Sequence, residues 1–183
     1  MTTNENQIIN EFEEIKNESI FTLSKLINLY GLSLSESRLY SILFLENSPM
    51  TLDEMSQSLG MSKTSMSTGV RSLLDTQMVE KTWKKGIRKD LYIVEEDLYK
   101  AFSNSFIDQW HSAINHHMKT LKEISNQLSD LSYKNSDLDL QKTISQYSQK
   151  INMIIDFYKW LLNTLKVLQE NIDDRLNIKN QDL

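Results

Sequence analysis

Cysteine is absent from this chain, which rules out disulfides, thiolate zinc sites and cysteine nucleophiles. Only four glycines and one proline punctuate 183 residues. A sandwich or barrel needs many more turns, so a mainly α fold is expected. No run of about 18 apolar residues occurs, and no transmembrane helix is expected. The opening stretch MTTNENQIINEFEE has neither the basic nor the apolar region of a secretory signal. A cytoplasmic location is the expectation. Walker loops, GxGxxG turns and GxSxG elbows are missing as well, and the carboxylates are scattered over polar helix faces. No catalytic residue, and no enzyme, is expected. His111, His116 and His117 lie close in sequence, but no cysteine or paired carboxylate accompanies them. No metal site and no cofactor are expected.

Acidic residues outnumber basic ones over the whole chain, yet one stretch carries a basic excess. The formal net charge is −5. Between Met61 and Asp90, however, seven basic residues face three acidic ones, a net +4 that leaves −9 for the rest. Distribution matters more than the sum when nucleic acid is considered. This is a local cationic patch on an acidic body.

Apolar periodicity organises the chain into three regions. Residues 1–31 read as an N-terminal helix contributing to dimerisation, with Ile8, Phe12, Ile15, Leu23, Leu26 and Tyr30 on one face and Gly31 as a stop signal. Residues 32–97 read as a winged helix-turn-helix head. Its first helix begins at Ser35, buries Leu39, Ile42, Leu43 and Leu45, and ends at Ser48-Pro49. Thr51 and Glu54 have the spacing of a capping box for a short helix to Leu59. Gly60 supplies a sharp turn, and Ser62 caps a further helix reaching about Gln77. Two short helices joined by a glycine turn are a helix-turn-helix signature. The β-favouring residues of MVEKTWKK and DLYIV, around Gly86, predict a small hairpin with a cationic tip.

Residues 98–183 read as two long helices forming a dimerisation and ligand-sensing region. From Trp110 through Ile114, His117, Leu121, Ile124 and Leu128 to Leu131 the seam positions step by four and three, and they do so from Ile144 through Tyr147, Ile151, Ile154, Tyr158, Leu161, Leu165 and Leu168 to Ile172. Such heptads predict a coiled coil. Residues 132–139 form the loop between the two helices. The seams need each other and a second subunit, or else an intramolecular pair in a monomer.

On a helical wheel Met66, Val70, Leu73, Leu74 and Gln77 form the inner face of the helix that begins after Ser62. Thr64, Ser65, Thr68, Arg71 and Ser72 point outward, with Ser62 and Lys63 at the N-terminal end. A merely solvated face would carry Glu, Lys and Gln. Short hydroxyl side chains instead let a helix backbone sink into a major groove about 12 Å wide. There they donate to phosphates or read base edges, and the free N–H groups of the helix start attract phosphate. Arg71 could fork onto guanine or hold a phosphate, and its position fits both. Gly69 in a helix interior fits close packing against a neighbouring helix better than a DNA role. Lys84, Lys85, Arg88 and Lys89 flank the hairpin turn. By themselves they could merely blunt an edge strand. Beside the hydroxyl face they line up on one DNA backbone.

The stretch MTLDEMSQSLGMSKTSMSTGVRSLLDTQMVEKTWKKGIRKDLYIVEED closely resembles the DNA-reading head of GbsR-type regulators, a branch of the MarR superfamily. YGLSLSESRLYSILFL, just before it, is similar to the second helix of the same family. The match covers roughly residues 26–99, and the long helices agree in length and character more than in residues. The resemblance implies a homodimer with two winged heads that bind double-stranded operator DNA. It implies repression of genes for choline uptake and glycine betaine synthesis, with choline or a related quaternary ammonium osmolyte as effector.

Such an effector has no hydrogen-bond donor at its charge. Aromatic faces must hold it, at about 0.5–2 kcal/mol per ring. The resemblance implies a cage near the joint between head and long helices. Ring candidates there are Tyr92, Tyr99, Phe102, Phe106 and Trp110, the last four at helical spacing. Tyr158 and Trp160, beside Phe157, are candidates on the last helix. Core packing is the competing reading of every one of them. Leu98 stands where close relatives are expected to carry an aromatic, which points to an altered pocket or a different ligand. The alternative function is a helical winged-helix module that holds a protein partner and senses no small molecule.

Overall fold

The computed structural model describes residues 3–181. Seven α-helices and one two-stranded antiparallel sheet are found there. The chain divides into two compact units, one ending at Phe106 and the other beginning at Ile107.

The first unit opens with α1 (Thr3–Asn28), followed by α2 (Leu34–Glu46), α3 (Leu52–Leu59) and α4 (Lys63–Asp75). Each of the last three begins on a hydroxyl N-cap. Ser33 caps α2, two residues earlier than expected, because its side chain accepts from the N–H of Glu36 while the Glu36 carboxylate accepts from the N–H of Ser33 at 2.7 Å. Thr51 and Glu54 make the same reciprocal pair for α3. Gly60, at φ 62°, takes the left-handed conformation that closes α3.

The α4 helix stops at Asp75, short of Gln77. The wheel had placed Gln77 on the inner face. It lies instead at φ 54°, exposed, in the turn leading to the sheet. There the N–H of Met78 reaches back to the carbonyl of Leu73, closing the helix end.

Strands β1 (Val79–Thr82) and β2 (Leu91–Val94) pair with Val79 opposite Val94 and Thr82 opposite Leu91. A further bridge joins Met50 to Tyr92 through two 2.9 Å backbone bonds, tying the hairpin to the segment before α3. Ile27, Leu39, Tyr40, Leu43, Met55, Met66, Leu73 and Met78 form the core beneath these elements. The Tyr40 hydroxyl finds the Glu95 carbonyl at 3.1 Å, and burial pushes its pKa well above the ordinary phenol value. Helix-turn-helix and hairpin together form the expected winged head, resting on α1.

Asp97 caps α5 (Leu98–Phe102), but the single long helix expected from there is interrupted. Ser103–Ile107 is a π-helical turn, and α6 follows it (Asp108–Lys134). Bonding from i to i+5 turns each residue through less than the α-helical angle, so the aromatic stripe does not stay on one face. Phe102 and Phe106 are packed, whereas Tyr99 and Trp110 are exposed.

The second unit pairs α6 with α7 (Leu138–Gln181) across a turn shorter than expected, residues 135–137. The Asp137 carboxylate accepts from the N–H groups of Asp139 and Leu140, capping α7. Ile114 and Met118 of α6, and Ile144, Ile151, Ile155, Leu165 and Ile172 of α7, are buried. The predicted seam is thus split. Tyr147, Ile154 and Leu168 belong to it in sequence but lie open, and Met118 takes the buried place expected for His117.

Candidate nucleic-acid interface

The outward face of α4 starts with its cap. Ser62 Oγ accepts from the Ser65 N–H at 3.2 Å and lies 2.9 Å from Ser65 Oγ, so these two hydroxyls fix the helix start together. Beyond them Lys63, Thr64, Thr68 and Arg71 are exposed, while Met66, Gly69, Val70 and Leu73 are buried on the opposite side. These residues take the orientation that the sequence predicted, whereas Ser72, expected to point outward too, is half-buried and bonds to Glu36 of α2.

Gly69 explains how the helix is held. A Cβ built there would lie 3.1 Å from Leu39 Cδ2 and 3.7 Å from Glu36 Cγ, so glycine lets α4 press onto α2. Ser33, Ser35 and Glu36, at the start of α2, share a groove of about 330 Å³ with Ser62, Thr64, Ser65 and Thr68. Sequence reading missed these three as neighbours of the hydroxyl face, although the S-x-x-E spacing at Ser33–Glu36 carried the signal. Partial burial pushes the Glu36 carboxyl pKa up, but bonds from Ser72 and Ser33 outweigh that and hold it below its ordinary value.

The hairpin carries the second group of cations. Lys84, Lys85 and Arg88 are exposed, with no ion-pair partner among the described residues, and Trp83 beside them is 81% exposed. Lys89 behaves differently. Its ammonium lies 2.6 Å from Asp53 Oδ2, and the Lys63 ammonium lies 2.7 Å from Asp53 Oδ1. One carboxylate on α3 thus joins the first residue of α4 to the wing. Thr51, Asp53, Lys63, Arg88, Lys89 and Asp90 line a groove of about 310 Å³ at this junction. Hydrogen bonds from Lys63 and then Lys89 hold the Asp53 pKa down at about 2. Lys81 pairs with Asp90 at 2.8 Å across the hairpin, which raises the lysine's pKa. Asp53 was not singled out in the sequence, because nothing local to α3 reveals two lysines that lie far along the chain.

The ring candidates fall into separate groups. Tyr92 is only 8% exposed and belongs to the core beneath the wing. In the first unit Phe102 stacks on Phe106 at 5.0 Å between centroids, and meets Tyr30 edge-on at 5.2 Å. Tyr99 lies on the more exposed side of α5. In the second unit Trp110 is on α6, while Tyr158 stacks on His117 at 6.1 Å and its hydroxyl lies 3.4 Å from His117 Nδ1. Phe157 bridges from Tyr158 to Trp160, at 6.1 and 5.7 Å. Tyr30 and His117 join these groups without having been candidates.

Known proteins share this organisation. Residues 98–171 match the C-terminal helical hairpin of the GbsR family of transcriptional regulators, and residues 27–103 match the sugar-specific transcriptional regulator TrmB family. The chain is 31% identical to the HTH-type transcriptional repressor GbsR of Bacillus subtilis (strain 168), over 90% of its own length and 92% of that protein. It is 29% identical to the HTH-type transcriptional repressor OpcR of the same organism, covering 86% of this chain and 85% of the relative. In fold it is similar to the crystal structure of a transcriptional regulator at a TM-score of 0.62 and 15% identity, covering 88% of this chain and 98% of the other.

Proposed function

Because the chain belongs to the GbsR family of transcriptional regulators, we propose that it is a homodimeric repressor that inserts α4 into the major groove of operator DNA. The observation carrying this reading is the exposed face of Lys63, Thr64, Thr68 and Arg71, with Lys84, Lys85 and Arg88, unpaired among the described residues, on the neighbouring wing. Small hydroxyls admit the helix to the groove, and the wing lays positive charge along the flanking phosphates.

Two copies are needed to place α4 in successive grooves, about 34 Å apart. Ile8, Phe12 and Ile15 on α1, with Tyr147, Ile154 and Leu168 on α7, are exposed apolar residues that a second copy would cover. Genes for choline uptake and glycine betaine synthesis are the proposed targets, with choline or a related methylammonium osmolyte as effector. The proposed cage draws on rings within one unit, Tyr99, Phe102 and Phe106 of the first or Trp110, Tyr158 and Trp160 of the second. The effector releases the repressor only by binding the DNA-free arrangement more tightly than the DNA-bound one.

A gel-shift titration tests the reading. Arg71→Ala weakens operator binding, by about 1–3 kcal/mol if the guanidinium reads a guanine. Trp110→Ala leaves DNA affinity unchanged and blunts release by choline. A Trp110→Ala protein with the wild-type choline response would remove that ring from the cage. DNA binding through several lysines and arginines falls with salt at a log–log slope of about −0.9 per neutralised phosphate. A flat salt dependence would favour a protein-binding module instead.

A further inference from the structure

Asp53 stands out among the charged residues that DNA binding does not use. It occupies the second position of α3, where a negative charge suits the helix N-terminus. Its neighbour Glu54 already serves the cap, accepting from the Thr51 N–H and hydroxyl at 2.6 and 2.8 Å. Asp53 is therefore free of capping duty. Each of its two oxygens takes one ammonium, from Lys63 on α4 and from Lys89 on the wing. Two anion-seeking groups from separate elements are satisfied by one internal carboxylate, in the way that two oxygens of a backbone phosphate would satisfy them. The surrounding groove adds Arg88.

A lysine held by an internal carboxylate displaces fewer counterions from DNA than a free one. On non-cognate duplex the phosphates must compete with Asp53 for Lys63 and Lys89. On a cognate site, full entry of α4 into the groove would bring a phosphate to both ammonium groups in fixed geometry. The internal anion therefore costs non-specific binding more than specific binding. We propose that Asp53 is a specificity-determining residue, an intramolecular stand-in for phosphate that holds Lys63 and Lys89 off non-cognate DNA. This rests on the DNA-binding reading of the head.

The experiment uses the full chain, a random-sequence duplex and a duplex selected by the wild-type protein from a random pool. Dissociation constants are measured between 50 and 200 mM salt. Asp53→Asn is expected to bind the random duplex more tightly, with a slope steeper by about one. That change corresponds to a gain of roughly threefold at the low-salt end relative to the high-salt end. Affinity for the selected duplex changes less, so the selected-to-random ratio falls. Asp53→Ser, which also suits a first helical turn, must reproduce this, and Asp53→Glu must return the wild-type slope. Unchanged random-duplex affinity and slope in both neutral variants would overturn the proposal. So would an equal loss on both duplexes, which would make Asp53 a structural brace. A wild-type chain that selects no duplex would instead overturn the DNA-binding reading, and the role of Asp53 with it.

Discussion

At the scale of single residues, the placement of α4 depends on groups that are small or conformationally unusual. Gly69 lets α4 approach Leu39 to a distance that a larger side chain cannot share. Gly69→Leu is expected to destabilise the head by about 1–3 kcal/mol, the usual cost of overpacking a filled contact. A urea titration would show a lower midpoint with an unchanged slope. The glycine's packing role was legible in the sequence, because a glycine in the middle of an otherwise regular helix needs such a reason. Gln77 was not. Its four-residue spacing from Leu73 put it on the inner face, but the chain has already left the helix and turned left-handed there. Side chains other than glycine and asparagine rarely take that conformation. Gln77→Gly is expected to stabilise the protein by about 0.5–1 kcal/mol, seen as a higher urea midpoint.

Elements show why capping signals were easier to read than their partners. The Thr51–Glu54 and Ser62 signatures lie within a few residues of the helices they start, so α3 and the start of α4 could be placed from sequence. The junction between α3, α4 and the wing could not, because Asp53, Lys63 and Lys89 are brought together only by the fold. That junction predicts an acid sensitivity. Asp53 is held at about 2 by Lys63 and Lys89, and Glu54 is held below its ordinary value by the Thr51 N–H and hydroxyl. Both pKa values are depressed on folding, so the unfolded chain binds more protons in the acid range and stability falls as pH falls. The contribution is complete above the ordinary carboxylate range and is lost from about pH 4.5 down towards 2. Urea midpoints of wild type and of the Asp53→Asn, Glu54→Gln double variant are therefore expected to converge as pH drops from 6 to 3. Parallel curves would mean that these carboxylates gain nothing on folding. The interruption of the long helix by a π turn at Ser103–Ile107 had no legible signal, because SNSFI continues an acceptable α-helical pattern.

At the scale of the whole molecule, periodicity announces that α7 is apolar on one broad stripe but cannot say who covers each part of it. Within one chain Ile144, Ile151, Ile155, Leu165 and Ile172 are buried, whereas Tyr147, Ile154 and Leu168 lie open. A helix of 44 residues, about 66 Å long at 1.5 Å per residue, is also much longer than the 27 residues of α6 that face it. Tyr147, Ile154 and Leu168, exposed along such a helix, carry a solvation cost of about 1.5–3 kcal/mol each, which a second copy would recover. Sedimentation equilibrium of the wild-type chain is therefore expected to give twice its 21.4 kDa mass. Leu168→Glu places a charge in the open part of the stripe without touching the buried seam. It is expected to shift the protein towards the single-chain mass while keeping its helical circular dichroism. Because each copy contributes one α4, that variant should also lose most of its affinity for a two-half-site operator and little of its weak binding to a single half-site. A variant that stays at twice the mass would place the subunit contact on α1 alone, at Ile8, Phe12 and Ile15. A wild-type chain that sediments at the single-chain mass would instead leave both faces unpartnered and remove the basis for pairing two recognition helices.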